Sequence, residues 1–401
     1  MRSGLQSATK SGTSSVAFAS LRSDATDRFV NRAIVISYTL LLMTTIVADQ
    51  GALRLTIYLM PLLIIGLRLF STSGEVLIDL VVLRALGVLC MMFFVAAAVN
   101  SYAEYSSRQY IFTVLAPASF LIAIRFDRTF MKELAVGLLC AQLLFLALRL
   151  IDGRLHFDFD IFNYNAHLRV ASESFVAFPL SAVALYFGMT RQRWWMLVCL
   201  AGVLLGLRRG PMAAALVGLV VFLVTNRLPI GKVGIVLTCA ALFAVGAVIS
   251  VNATAVLSAL APLLGPELSV NQFTNGRYEM YQILAQPITE SNWSFWLGHG
   301  PGYNVDFLFG LGLGRQPWDH PHNDFLTILL DFGVAGLAMF VSAWLILIGR
   351  NKFAIALVAY MVVLWLVDNT AVYFFHLVVF LFVVWRLRLE AAEQSERGIS
   401  I

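Results

Sequence analysis

Trp318-Asp319-His320-Pro321-His322-Asn323-Asp324-Phe325-Leu326 closes the longest hydrophilic stretch of the chain and opens directly into the apolar run 325–348. Ionisable side chains crowded against the start of a membrane-length apolar helix mark chemistry at a bilayer surface rather than in bulk water. Outward from this point, runs nearly free of charge recur at 33–48, 55–67, 76–99, 109–124, 134–148, 174–189, 194–207, 211–225, 233–250, 353–367 and 371–385. The 401 residues are 60% hydrophobic and 13% charged, with a mean hydropathy of +0.82. No folded soluble monomer hides that much apolar surface from water. The expected fold is an all-α polytopic membrane protein with about 12 transmembrane helices, several of them short enough to borrow flanking polar residues at their ends.

The basic residues orient the spans. With the N-terminus in the cytoplasm, Arg22, Arg28, Arg32, Arg68, Arg125, Arg128, Lys132, Arg191, Arg193, Arg227, Lys232, Arg350, Lys352, Arg386 and Arg388 fall on one side, as the positive-inside rule expects. The net charge of +5 is then a topology signal and not a nucleic-acid patch. The expected organisation is a cytoplasmic tail over 1–32, nine spans over 33–250, one large outer segment over 251–322, three spans over 323–386 and a cytoplasmic tail over 387–401. The first thirty or so residues, rich in Ser, Thr and Arg, lack the apolar core of a signal peptide. Cys90, Cys140, Cys199 and Cys239 all lie in apolar runs without metal-ligand spacing and read as small core residues. Asp79 and Arg84, five residues apart in the third run, read as an internal polar pair.

The outer segment holds Pro262, Pro266, Pro287, Pro301, Pro317 and Pro321, the turn Gly298-His299-Gly300-Pro301-Gly302, and Trp293, Trp296 and Trp318, an aromatic set that suits either a membrane interface or sugar stacking. Segment 275–286 has the pattern of a short amphipathic helix with Tyr278, Tyr281, Ile283 and Leu284 on one side. A second outer loop, roughly 149–173, carries His156-Phe157-Asp158-Phe159-Asp160; an Asp-x-Asp pair holds metal diphosphates in some sites, but so short an acidic match is common by chance.

Gly206-Leu207-Arg208-Arg209-Gly210-Pro211 sits between the seventh and eighth runs, on the outer side, where two arginines run against the positive-inside bias and need an anionic partner. Pro211 suits the first position of the eighth span and Pro321 precedes the tenth, so two helix N-termini point their positive dipole ends toward one outer pocket fit for a phosphate or diphosphate. Arg277 adds a third guanidinium, whose planar fork matches phosphate oxygens. The same arginines are equally suited to pairing with Glu279, Glu290 or lipid headgroups. His322 is a candidate general base, a metal ligand with His320, or a capping residue; beside the positive end of a helix the neutral imidazole is favoured. No third strong ligand stands at helical spacing, which argues against a metal. Asp368, in Asp368-Asn369 at the outer end between the last two spans, is a further acid that could orient His322, bind a sugar or simply form a turn.

Taken together, Arg209-Gly210, Gly276-Arg277, Gly298-His299-Gly300-Pro301-Gly302 and His322-Asn323-Asp324-Phe325-Leu326, followed by Leu330-Asp331-Phe332-Gly333-Val334-Ala335-Gly336, resemble the O-antigen ligase/polymerase family of bacterial membrane glycosyltransferases over about residues 200–340. Two departures are Arg208, where the family has a small hydroxyl residue, and Tyr281, where tryptophan is common. The resemblance implies a GT-C-like architecture in the bacterial inner membrane with its active site on the periplasmic face. It also implies inverting transfer, without metal or cofactor, of a glycan from undecaprenyl diphosphate to an acceptor sugar hydroxyl. His322 would be the base, Arg209 and Arg277 would hold the diphosphate, and Arg208, Asn323, Asp368 and His320 would be further substrate contacts. The partners implied are the lipid-linked donor, lipid A core or a growing polysaccharide as acceptor, and membrane lipids, with no nucleic acid. Ligation of O-antigen to lipid A core is the leading expectation and polymerisation of O-antigen or exopolysaccharide the alternative. A flippase or transporter of the same lipid-linked glycan would also want outer arginines, but the chain shows no obvious inverted repeat and few mid-membrane ionisable residues.

Overall fold

The computed structural model describes residues 24–47, 59–71, 78–100, 110–123, 126–127, 129–151, 175–206, 208–260, 262, 270, 277–312 and 321–396. The readings made above on His156, Asp158, Asp160, Asn275, Gly276, Trp318, Asp319 and His320 lie outside these residues. Among the described residues, the chain begins with α1 (Asp24–Val47), α2 (Leu59–Ser71), α3 (Leu80–Val99), α4 (Ile111–Ala118), α5 (Phe130–Ile151), α6 (Ala177–Met189), α7 (Arg193–Leu205), α8 (Arg209–Thr225) and α9 (Lys232–Val251). Among the described residues, the segment 251–322 includes the short helices α10 (Ala253–Leu260), α11 (Arg277–Ile288), α12 (Asn292–Leu297) and α13 (Tyr303–Gly310). The chain closes with α14 (Asp324–Ile348), α15 (Ala354–Val367), a 3₁₀ turn (Thr370–Val372) and α16 (Phe374–Glu396).

Among the described residues, five helices are long and apolar enough to cross a bilayer: Thr26–Val47, Leu80–Val99, Phe130–Ile151, Lys232–Val251 and Asp324–Ile348. Shorter apolar helices of 10–17 residues stand among them, α6, α7, α8 and α15 included. The surface is inverted relative to a soluble protein. Leu40, Leu83, Phe94, Leu143, Val220 and Leu237 point outward, with Phe94 71% exposed, while α6 and α15 are buried on nearly every side. A soluble chain keeps few such contiguous apolar faces; a bilayer accepts them at no cost.

Charged pairs gather at one end of the bundle. Arg68 lies 3.5 Å from Asp27, Arg386 lies 3.4 Å from both Glu390 and Glu393, and the Tyr186 hydroxyl donates to Glu390 at 2.6 Å. Asp79 does not form the internal pair expected with Arg84. It caps α3, accepting from the Val81 and Val82 amides. Carboxylates at helix starts satisfy amides that have no intrahelical partner. Cys199 and Cys239 are core residues as expected, whereas Cys90 and Cys140 lie on outward faces, where an apolar thiol is as comfortable in lipid as in a core.

The expected single span over 325–348 is broken. Gly333 has φ 64° and ψ −169°, which splits α14 into a half-helix Asp324–Phe332 and a second part Val334–Ile348. Phe325 and Phe340 both pack against Trp365, with ring centroids 5.5 and 5.1 Å away. Fifteen residues of straight helix would hold those two side chains roughly 22 Å apart. Only glycine fits the bend, because a Cβ there would also meet the Trp296 and Leu297 backbone at 2.5 Å.

The break strands the last carbonyls of the half-helix, and the glycine-rich turn supplies their donors. The His299 amide bonds to the Leu330 carbonyl and the Gly300 amide to the Asp331 carbonyl, both at 2.9 Å. The buried Asp331 carboxylate then accepts from the Gly302 amide at 2.6 Å, the Asn304 amide at 2.8 Å, the Asn304 side chain at 2.7 Å and the Tyr110 hydroxyl at 2.6 Å. An acid in an otherwise apolar run thus ties the outer segment and α4 to α14.

Candidate active site

Arg388, two residues past Arg386, donates to the Ile346 carbonyl at the end of α14 at 2.8 Å, so the charged end also holds the turn into α15, and α15 delivers Asp368 to the opposite end, where α8, α11, α14 and α16 begin. Asn323 is the N-cap of the half-helix. Its side-chain oxygen accepts from the Leu326 amide at 3.0 Å and its amide nitrogen donates to the Leu366 carbonyl at 3.3 Å. This double hold fixes the helix start against the last turn of α15 and leaves His322 just outside it. His322 takes φ 51°, the left-handed region that non-glycine residues seldom enter. Such backbone persists only where its surroundings impose it; here the Tyr281 hydroxyl holds the His322 carbonyl at 3.1 Å.

From that position His322 Nδ1 lies 3.1 Å from Asp368 Oδ1. Burial pushes the Asp368 carboxyl upward, but the His322 hydrogen bond and charge, with the guanidiniums of Arg208 and Arg277, outweigh it and hold the group well below the usual carboxylate range. An ionised carboxylate only accepts, so Nδ1 carries a hydrogen, and in the neutral imidazole the lone pair then sits on Nε2. The other Asp368 oxygen takes Arg208 Nη1 at 3.2 Å, and Oδ1 also accepts from the Tyr373 hydroxyl at 3.2 Å and the Asn369 amide at 2.9 Å. Burial and the neighbouring Asp368 raise the Tyr373 hydroxyl, which keeps it a donor.

Arg208 is the N-cap residue of α8, so the helix begins two residues before Pro211. Pro211 therefore stands in the first turn rather than at its first position, where its missing N–H still costs nothing. The Arg208 guanidinium lies over the rings of Phe175 and Phe178, at 5.5 and 5.3 Å. Arg209, next along the chain, is exposed on the first turn of α8. Arg277, at the start of α11, reaches the end of α15 and donates to the Val367 carbonyl at 2.6 Å. The helix expected over 275–286 is described as Arg277–Ile288, with Tyr281 and Leu284 on its buried side. His322, Asn323, Asp368, Arg208 and Arg277 thus meet at one place. Among the described residues, no group of three or more His, Cys, Asp or Glu side chains lies close enough to hold a metal ion.

Residues 194–341 match the O-antigen ligase family model. The match runs from α7 into the second part of α14, the stretch on which the motif resemblance was read, and takes in Arg208, Arg209, Arg277, Asn323 and His322. No curated protein matches the chain. With five helices among the described residues able to cross a bilayer, this is a multi-pass membrane protein, and residues 194–341 of it are similar to a family of glycan-processing enzymes.

Asp331, Tyr110 and Tyr373 hold the site's surroundings together without any role expected from the sequence, and Asp324, which in sequence stands beside the His-x-His pair, is a structural acceptor. Asp324 is buried and accepts from the Ala371 amide at 2.9 Å and the Thr370 hydroxyl at 3.3 Å, which fixes the turn that follows Asp368. A signal for Asp331 existed, since a carboxylate inside an apolar run calls for a buried partner. Tyr110 and Tyr373 gave no comparable signal, because tyrosines at span ends are ordinary interface residues.

Proposed function

We propose that this protein transfers a glycan from undecaprenyl diphosphate to a sugar hydroxyl at the periplasmic face of the inner membrane, with lipid A core as acceptor. The observation that carries the reading is the His322–Asp368 pair, flanked by Arg208 and Arg277. His322 Nε2 takes the proton of the acceptor hydroxyl as that oxygen attacks the anomeric carbon. The bond from that carbon to the diphosphate oxygen breaks, the anomeric configuration inverts, and undecaprenyl diphosphate leaves with the bonding pair. Asp368 holds the imidazole in the Nδ1–H tautomer and stabilises the imidazolium as it forms. Arg277 and Arg209 meet the departing diphosphate, with Arg208 behind them, and Asn323 keeps His322 aligned. His320 contacts substrate from the segment just before Pro321.

Twelve passes with both termini cytoplasmic, 251–322 outside, and Arg208 and Arg209 at the outer surface accord with the alternation of the helices between the two bundle ends and with the basic residues at one of them. Extension of a polysaccharide would use the same donor, base and arginines and differ in the acceptor.

The test is transfer by purified protein supplied with lipid-linked donor and with either lipid A core or a donor-borne glycan as acceptor. His322→Ala should cost at least about 100-fold, the lower bound for a positioned base, while donor binding persists. Turnover above about a tenth of wild type would remove His322 as base on the same bound.

A further inference from the structure

The outer segment carries an apolar face that the site does not use. From Asn292 to Gly312 the only charged residue is Asp306. Along this stretch Trp293, Trp296 and Phe309 are 59%, 55% and 52% exposed, with Phe295 and Leu311 beside them. On a water-facing loop so many exposed aromatic side chains would be an association hazard.

Its depth is fixed by its contacts. The Leu297 carbonyl accepts from the side chain of Asn100, the C-cap of α3, at 3.5 Å, and the Trp296–Leu297 backbone packs directly on Gly333. Phe332, beside that glycine, meets Phe93 of α3 edge to face with ring centroids 5.3 Å apart. Phe93 lies six residues before the end of α3, roughly 9 Å along its axis. The end of α12 therefore lies alongside the last two turns of a helix able to span the bilayer, whose outward face there is Met91 and Phe94. The aromatic face continues that lipid-facing surface.

We propose that α12 and α13 lie within the outer-leaflet interface, with Trp293, Trp296 and Phe309 among the upper acyl chains. Tryptophan suits this boundary because its ring is apolar and its N–H polar. The outer segment is then part aqueous lobe and part membrane-embedded hairpin, and the glycine-rich turn at the tip of the hairpin is tied to α14 through Asp331.

The test uses full-length protein in liposomes, free of native cysteines, with an NBD fluorophore on Trp296→Cys or, for comparison, on Glu290→Cys in the exposed connection before α12. The label at 296 should lose most of its emission to a phosphatidylcholine bearing a nitroxide near the top of its acyl chain and should resist aqueous iodide. The label at 290 should do the reverse. Equal iodide quenching at both positions overturns the proposal. So does a label at 296 that is shielded only when acceptor glycan is added, which would make the face a sugar platform. If the cysteine-free chain does not fold, Trp293→Phe/Trp296→Phe in otherwise native protein should lose part of the tryptophan emission quenched by brominated lipid, and an unchanged quenched fraction overturns the proposal equally. Neither readout depends on glycan transfer.

Discussion

Asp368→Asn keeps the shape of the side chain and removes its charge, which isolates what the carboxylate contributes to the proposed reaction. Three side-chain donors face it: His322 Nδ1 at 3.1 Å, Arg208 Nη1 at 3.2 Å and the Tyr373 hydroxyl at 3.2 Å. A hydrogen bond to a charged partner contributes about 1.5–3 kcal/mol. The His322 side chain is 38% exposed against 7% for Asp368, so solvent screening places that bond at the low end. Loss of the counter-charge as the imidazolium forms should then raise the barrier by about 1.5–2 kcal/mol, a rate loss of roughly 10- to 30-fold. Donor affinity should hold or tighten, since Arg208 is released from its internal anion. The measurement is single-turnover transfer in proteoliposomes across a pH series with donor binding followed separately. A rate within about threefold of wild type at every pH, less than 1 kcal/mol on the barrier, refutes the positioning role.

The same carboxylate predicts a pH signature in stability. Its folded-state pKa is depressed, so its stabilising contribution is fully present above the unfolded value of about 4 and is lost as pH falls through the folded value; the Tm gap between wild type and Asp368→Asn in detergent should be constant at neutral pH and shrink in acid. Gly333→Ala should destabilise by about 2–4 kcal/mol, because the new Cβ meets backbone and the residue must keep a positive φ; rapid proteolysis between α11 and α14 would report it, and a wild-type cleavage pattern would contradict it. Arg277→Lys should not restore the transfer lost in Arg277→Ala, since a lysine lacks the planar fork that meets two phosphate oxygens; full recovery would reduce Arg277 to a point charge. A cysteine at exposed Gln286 should react with an impermeant maleimide added from the periplasmic side, and labelling only after the inner membrane is opened would invert the proposed topology.

The membrane class and the helix positions were legible because apolar runs and basic flanks are one-dimensional signals. His322, Arg208, Arg277 and Asp368 were legible as polar residues where an apolar chain has little reason to keep them. Their pairing was not. Asp368 lies 46 residues from His322 and 160 from Arg208 in sequence, and only the packing of α8, α14 and α15 fixes which arginine meets the acid. The break at Gly333 was hidden for a different reason. Hydropathy is blind to direction, so two half-helices joined by a bend read as one long span.

That bend has a consequence for how the protein is assembled. In hydrocarbon an unsatisfied backbone carbonyl costs several kcal/mol, and two of those orphaned by the break are satisfied by amides of His299 and Gly300. The outer segment is therefore not a cassette hung between two independent spans. It supplies backbone that the tenth apolar run needs in order to sit in the bilayer, so insertion and docking form one cooperative event. A chimera that exchanges 251–322 for a foreign sequence should insert stably only when Leu330–Gly333 travels with it.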